Sequence, residues 1–162
     1  MRIAVISDTH IPEKADSLPQ KLIAELKRCD MAIHAGDMVS MEVARTLKKI
    51  CPIFKAVHGN MDYAEVRKDF PEKDIVCAGK FKIGIKHGFG PPGQLLNLME
   101  GVFKNDEVDM VIFGHSHNPF NEKKGKIIFF NPGSPTDDIF APYKSFGIIE
   151  INDKIEAEII KI

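Results

Sequence analysis

The sequence predicts an α/β protein, and three observations carry that expectation. Short, β-branched apolar runs alternate with stretches of helical period, the pattern of strands paired in parallel through helical crossovers. Each of those runs stops abruptly at a polar turn rich in Asp, His, Gly and Asn. The last third of the chain instead joins apolar runs through tight polar turns. Antiparallel hairpins added to an α/β start imply two mixed β-sheets flanked by helices.

Taken in order, Arg2–Ser7 reads as a buried strand that ends at Asp8-Thr9-His10. Ser17 and Gln20 have capping-box spacing ahead of the amphipathic stretch Leu18–Arg28. Met31–His34 is a second strand, ending at Ala35-Gly36-Asp37, and Ser40 is placed to cap a helix running through about Lys49. Ile53–Val57 is a third, ending at His58-Gly59-Asn60. Ile75–Ala78 and Phe81–Lys86 flank Gly79-Lys80 as a hairpin, and Gly93–Lys104 is helical in period. Asp109–Phe113 is a buried strand ending at Gly114-His115-Ser116-His117. Two further hairpins follow, Asn121–Lys123 with Ile127–Phe130 and Phe146–Ile151 with Ile155–Ile160. Between them, Pro132–Pro142 reads as an ordered but irregular loop.

A chain of 162 residues fits one domain, here taken as residues 1–162, and can bury a sizeable core unaided. With 44% hydrophobic and 28% charged residues, it has the balance of a soluble globular protein. The net charge of -1 gives no basic field for holding nucleic acid, although nucleic acid stays open as a substrate. Cys29, Cys51 and Cys77 are widely spaced and odd in number, so neither a disulfide framework nor a metal-binding Cys pair is expected. A reducing cytoplasm is the simplest setting. The start of the chain runs straight into a strand, so no leader peptide is expected, and no apolar run approaches the roughly 20 residues that cross a bilayer.

The chemistry concentrates at strand ends. Asp8, His10, Asp37, Asn60, His87, His115 and His117 each fall just after a predicted strand, and in open α/β sheets ligands bind at the carboxyl ends of strands. Four of the six histidines belong to that set. Two carboxylates, four imidazoles and an amide oxygen make a mixed O/N donor set suited to Mn²⁺, Fe²⁺, Co²⁺, Ni²⁺ or Zn²⁺ rather than Ca²⁺. Seven donors exceed one tetrahedral site and one carboxylate can bridge, so two divalent metal ions fit the count. Such a pair can clamp a phosphoryl group and activate water.

Each motif alone has a plainer reading. Asp8-Thr9-His10 and Gly36-Asp37 are ordinary turns, Gly59–Asp62 resembles a helix entry capped by Asp62, and a lone histidine such as His87 is commonly structural. Gly114-His115-Ser116-His117 is more specific, since paired histidines after a buried strand are uncommon. Gly88-Phe89-Gly90-Pro91-Pro92-Gly93 matches the dinucleotide fingerprint, but two prolines remove N–H donors that a pyrophosphate would need. That loop fits better as a wall beside His87, with Phe89 as an apolar contact.

The ordered series D-x-H, G-D, G-N, H and G-H-x-H resembles the calcineurin-like metallophosphoesterase superfamily. The Asn131-Pro132-Gly133-Ser134 turn and the short length resemble its small bacterial and archaeal phosphodiesterase branch. The resemblance implies a four-layer αββα sandwich with a dinuclear centre, manganese being the leading metal and Ni, Co, Fe, Zn or Mg alternatives. It assigns Asp8, His10, Asp37 and His117 to one metal, and Asp37 as bridge, Asn60, His87 and His115 to the other. A metal-bridging hydroxide held by Asp37 would be the nucleophile, attacking in line at a small phosphodiester.

One position departs from the pattern. Many larger members carry histidine after the Gly-Asn pair to assist the leaving group, and here that position is Met61, which transfers no proton. Diesters and other substrates with acidic leaving groups are therefore expected over alkyl monoesters. His58 is a candidate substitute acid, although strand alternation would turn it away from its neighbour. His34 is placed to orient a ligand from behind. The alternative class is a non-catalytic, metal-binding interaction scaffold of the same fold, as in the retromer subunit. The filled motif positions favour an enzyme over it.

Overall fold

The computed structural model describes residues 1–162 and arranges ten strands in two five-stranded mixed sheets. In the first sheet β1 (Arg2–Ile6), β2 (Met31–His34) and β3 (Phe54–Ala56) run parallel, with Ile3 opposite Met31 and Ala32 opposite Phe54. The C-terminal hairpin, β9 (Ser145–Ile151) and β10 (Ile155–Lys161), extends it antiparallel on the free edge of β1. In the second sheet β5 (Phe81–Lys86), β6 (Met110–Ile112) and β8 (Ile127–Asn131) are the parallel centre. Antiparallel edges are supplied by β4 (Lys73–Ala78) and β7 (Phe120–Lys124).

Alternation along β1 explains the layering. Ala4 and Ile6 face a cluster with Leu22 and Leu26 of α1 (Gln20–Leu26), Val43, Ala44 and Leu47 of α2 (Met41–Ile50), and Val66 of α3 (Ala64–Asp69). Ile3 and Val5, on the opposite face, pack with Ile83, Ile85, Met110, Ile112 and Phe130 of the second sheet. Val111 and Phe129 then point away from that interface to meet Leu95, Met99 and Phe103 of α4 (Leu95–Phe103), which a 3-10 turn at Pro92–Gln94 introduces. Three helices, two sheets and one helix give the four layers of the αββα sandwich. A strand buried on both faces needs apolar residues at successive positions, which is why these runs are continuous rather than alternating.

The start of α1 differs from the sequence expectation, whereas that of α2 agrees with it in position. The first turn of α1 begins at Gln20 behind Pro19, with no side chain capping it, so Ser17 does not close a capping box. Leu18 is buried against α1 and α2 instead, and the fixed φ of Pro19 turns the chain into the helix. Ser40 does occupy the position before α2, but its hydroxyl is buried without a partner. The N–H of Met41 goes to Glu65 of α3 at 3.3 Å. Helix α3 has six residues and one buried side chain, too short to give a periodic signal.

Phe103 joins α4 to the second sheet: its ring lies over Gly84, where any side chain would collide with it. Phe103→Ala is expected to lower the unfolding free energy by about 3–5 kcal/mol, read as a shift of the urea midpoint at unchanged slope.

Candidate metal centre

All seven predicted donors follow strand ends, and the strands come from both sheets: β1, β2 and β3 from the first, β5 and β6 from the second. The parallel strands of the two sheets end at the same side of the sandwich, so their loops meet there. Backbone bonds tie the loops together: Asp8 N–H to Gly36 O at 3.0 Å, His10 N–H to Asp37 O at 3.1 Å, and Gly114 N–H to His87 O at 2.8 Å. Five of the seven donors hold a left-handed backbone: Asp8 (φ 55°), His10 (43°), Asp37 (56°), His115 (71°) and His117 (56°). That conformation costs a non-glycine residue about 1–3 kcal/mol, and Asp, Asn and His bear it better than most. Here it breaks the pleat and lets consecutive loop residues aim at one volume.

The inner atoms lie close. Nε2 of His117 is 3.3 Å from Asp8 Oδ1 and 3.2 Å from Nε2 of His10. His10 Nε2 is also 3.9 Å from Asp8 Oδ1 and 3.8 Å from Asp37 Oδ2. On the other side, His87 Nε2 is 3.1 Å from Asp37 Oδ2 and 3.8 Å from Asp8 Oδ1. Two overlapping groups are candidates for holding a cation, Asp8 with His10 and His117, and Asp8 with Asp37 and His87. Asp8 belongs to both groups, whereas the resemblance names Asp37 as the shared ligand; Asp37 too lies within 4 Å of a histidine on either side. His115 Nδ1 and Asn60 Oδ1 face each other at 3.0 Å beside His87, whose ring is 5.4 Å from that of His115. They are more exposed than the other five.

The donor chemistry fits divalent cations. Asp8, Asp37, His10, His87 and His117 are all buried, and Nε2 of His87 makes no hydrogen bond despite its carboxylate neighbour. Burial alone would raise the Asp8 carboxyl, but the facing His87 and His117 rings outweigh it and hold it down to about 2. Burial likewise opposes charge on His87, yet Asp8 and Asp37 hold that imidazole up, to about 9. The site thus demands positive charge between its two carboxylates.

Surrounding groups orient the donors. His87 Nδ1–H donates to Ala35 O at 2.8 Å, which leaves Nε2 as the free donor atom. His34 is fully buried; its Nδ1 accepts from Gly36 N–H at 3.2 Å and its Nε2 lies 3.2 Å from the Thr9 hydroxyl. Burial pushes its pKa down to about 4, so it serves as a neutral brace behind both loops. Met61 contributes through its backbone, its N–H reaching Asp37 Oδ1 at 2.7 Å. His58, half-buried, lines a cavity of about 320 Å³ together with Asn60, His87, Arg67, Lys86 and Phe89. The alternation expected to turn it away does not operate, because β3 ends at Ala56.

Sequence reasoning missed three supports. Asp62, read as a helix cap, accepts from Asp37 N–H (3.0 Å), Val39 N–H (2.6 Å) and Gly59 N–H (2.6 Å), locking two loops. Its spacing three residues after Gly59 is the one local cue. The Ser134 hydroxyl donates to Asp8 O at 2.7 Å, and Asp137 accepts from His117 Nδ1. Both sit in an irregular loop without periodic signal. The motif glycines Gly36, Gly59 and Gly114 all leave room for donor side chains. A Cβ on Gly114 would overlap the Ser7 hydroxyl and lie 2.6 Å from Asp8 Oδ2; one on Gly36, already at φ 94°, would lie 2.7 Å from the His87 ring.

A two-sheet sandwich with Asp and His donors from both sheets at one edge defines a metallophosphoesterase fold and site. Residues 1–154 match the calcineurin-like phosphoesterase superfamily domain, and the chain belongs to that superfamily. It is 39% identical over 164 residues to a protein of Methanocaldococcus jannaschii named a probable metallophosphoesterase, covering 100% of this chain and 82% of that one. Among solved structures, an archaeal phosphodiesterase is 26% identical with a TM-score of 0.78, covering 100% of both chains. The vacuolar protein sorting 29 protein of Entamoeba histolytica, solved with Zn²⁺, is 25% identical with a TM-score of 0.78, covering 99% of both. No helix is long and apolar enough to cross a membrane.

Gly114→Ala is expected to destabilise the protein by about 1–3 kcal/mol through overpacking against Ser7 and Asp8. Thermal unfolding of the metal-free protein checks the stability, and calorimetric Mn²⁺ titration should show weakened uptake as Asp8 is displaced.

Proposed function

We propose that this chain is a divalent-cation-dependent phosphodiesterase with a dinuclear centre. The observation that carries the reading is the juxtaposition of two buried carboxylates with three buried imidazole Nε2 atoms, bordered by Asn60 and His115. One cation would be held by Asp8, His10, Asp37 and His117, the other by Asp37, Asn60, His87 and His115. Manganese leads the candidates, with Ni, Co, Fe, Zn or Mg compatible with the donors. When bound, two such cations supply the charge that neutralises the phosphoryl oxygens and activates the attacking water in line with the leaving group.

The protein's own part is positional. Asp8 is pinned by the N–H of His115 at 3.1 and 3.2 Å, and Asp37 by that of Met61, so neither carboxylate swings. The cavity beside Asn60 and His87 gives room for one ester arm, with Phe89 as its apolar wall, Arg67 on its cationic side and Lys86 paired there with Glu72. Met61 is exposed and supplies no proton, which supports a small phosphodiester, or any substrate with an acidic leaving group, over alkyl monoesters.

The test is hydrolysis of bis-p-nitrophenyl phosphate by metal-stripped protein after adding back Mn²⁺, Ni²⁺, Co²⁺, Zn²⁺ or Mg²⁺, beside Asp37→Asn. Turnover should return with metal and fall to the metal-free baseline in the variant. Folded, metal-loaded protein that turns over nothing would assign the chain to the partner-binding scaffold class instead. Alkyl phosphomonoesters should be slower than the aryl diester by about 10²–10⁴-fold, the usual worth of a general acid. Faster monoester turnover would overturn the role given to Met61.

A further inference from the structure

The loop Pro132–Pro142 carries a carboxylate, Asp137, with more partners than its own turn requires. The Asp137 side chain is fully buried, although Ile139 and Phe140 beside it are 78% and 71% exposed. Its Oδ1 accepts from the N–H groups of Ile139 (2.8 Å) and Phe140 (3.2 Å), which closes a turn. A turn asks nothing more. Yet Oδ2 accepts from His117 Nδ1–H and, at 3.0 Å, pairs with Lys14, which arrives from the loop after His10.

The loop cannot drift relative to the site. Asp137 N–H donates to the Ser134 hydroxyl at 3.0 Å, and that hydroxyl donates to Asp8 O. The Thr136 hydroxyl donates to Thr9 O at 2.8 Å. Asp137 is therefore held by the same backbone segment that carries Asp8 and His10.

An imidazole ligates only through a nitrogen with a free lone pair, and the bond made by the other nitrogen decides which one that is. At His117 the proton is drawn to Nδ1 by Asp137, leaving Nε2 free where it faces Asp8 and His10. At His87 a backbone carbonyl does the same work. His117 is the donor for which a charged side chain does it, and a side chain can be changed. We propose that Asp137 is the positioning residue that presents His117 Nε2 to the cation shared with Asp8 and His10, with Lys14 holding the carboxylate in place. This rests on the phosphoesterase reading above.

Asp137→Asn separates positioning from loop bracing. The amide keeps the shape and an oxygen for the Ile139 and Phe140 N–H groups. Turning its NH₂ toward Nδ1 makes that nitrogen an acceptor and moves the ring proton to Nε2, the wrong tautomer for ligation. Calorimetric titration of metal-stripped protein with Mn²⁺ should show two sites in the wild type. In Asp137→Asn one site should weaken by about 10–100-fold and the other should hold, a split that the general stability lost with the Lys14 pair would not produce. An independent readout needs no variant: long-range ¹H–¹⁵N spectra of the Zn²⁺-loaded wild type should place the His117 proton on Nδ1.

Equal affinities in wild type and variant, or both sites weakened together with a lowered melting temperature, would reduce Asp137 to a loop brace. A proton found on Nε2 of His117 in the loaded wild type would overturn the proposal directly. If the wild type takes up no cation at all, the phosphoesterase centre falls, and this inference with it.

Discussion

Two carboxylates buried a few ångströms apart are the constraint around which the molecule is organised. Asp8 and Asp37 sit where the two sheets meet, removed from water, and like charges so placed repel unless positive charge lies between them. Three imidazoles surround them, and His87 is held protonated well above its ordinary range by the same two carboxylates. An arrangement that draws a proton so strongly is one that a divalent cation satisfies better, because it brings two charges and accepts several donors at once.

The remaining structure bears the cost of that arrangement. Left-handed backbone at five donor positions stores strain that loose loops would relax. Strand ends on both sheets, interloop backbone bonds and the three N–H groups gathered by Asp62 leave them no room to do so. Absent side chains at Gly36 and Gly114 let the loops approach within contact of His87 and Asp8. The four-layer core supplies the rigidity: β1 and β2 are buried on both faces, so their ends cannot shift without opening two apolar clusters.

Around this rigid centre the periphery is more open. Asn60 and His115 are the more accessible donors, and the cavity with Arg67, Lys86 and Phe89 opens beside them. On another flank Asp137 and Lys14 pair at the edge of a second open cavity of about 360 Å³, lined also by Glu13, Asp138 and Ile139. The centre is thus rigid within and open at its rim, a design that both a phosphodiesterase and a metal-holding scaffold would build on the same core.

The strands and the seven candidate donors at their ends were legible because each leaves a local mark. A strand buried on both faces is a continuous apolar run, and a loop that must carry chemistry begins with Asp, His or Asn at the point where the run stops. Two hairpins were legible through Gly79 and Gly125 at their turns and the third through Asn152-Asp153-Lys154, and helix α4 through its period. Helix α3 and the true start of α1 were not, since six residues give no period and Pro19, with Leu18 buried, displaced the expected Ser17 cap; α2 does start behind Ser40, although the hydroxyl makes no cap bond. The residues available to the candidate centre were therefore determined by the sequence itself. That Asp8 and Asp37 each face histidines on two sides, that Asp62 and Asp137 stand behind the donors, and that His58 joins the cavity were decided only by the tertiary structure. Those relations join residues 20 to more than 100 positions apart, through bonds whose partners are chosen by how two sheets pack and not by any spacing along the chain.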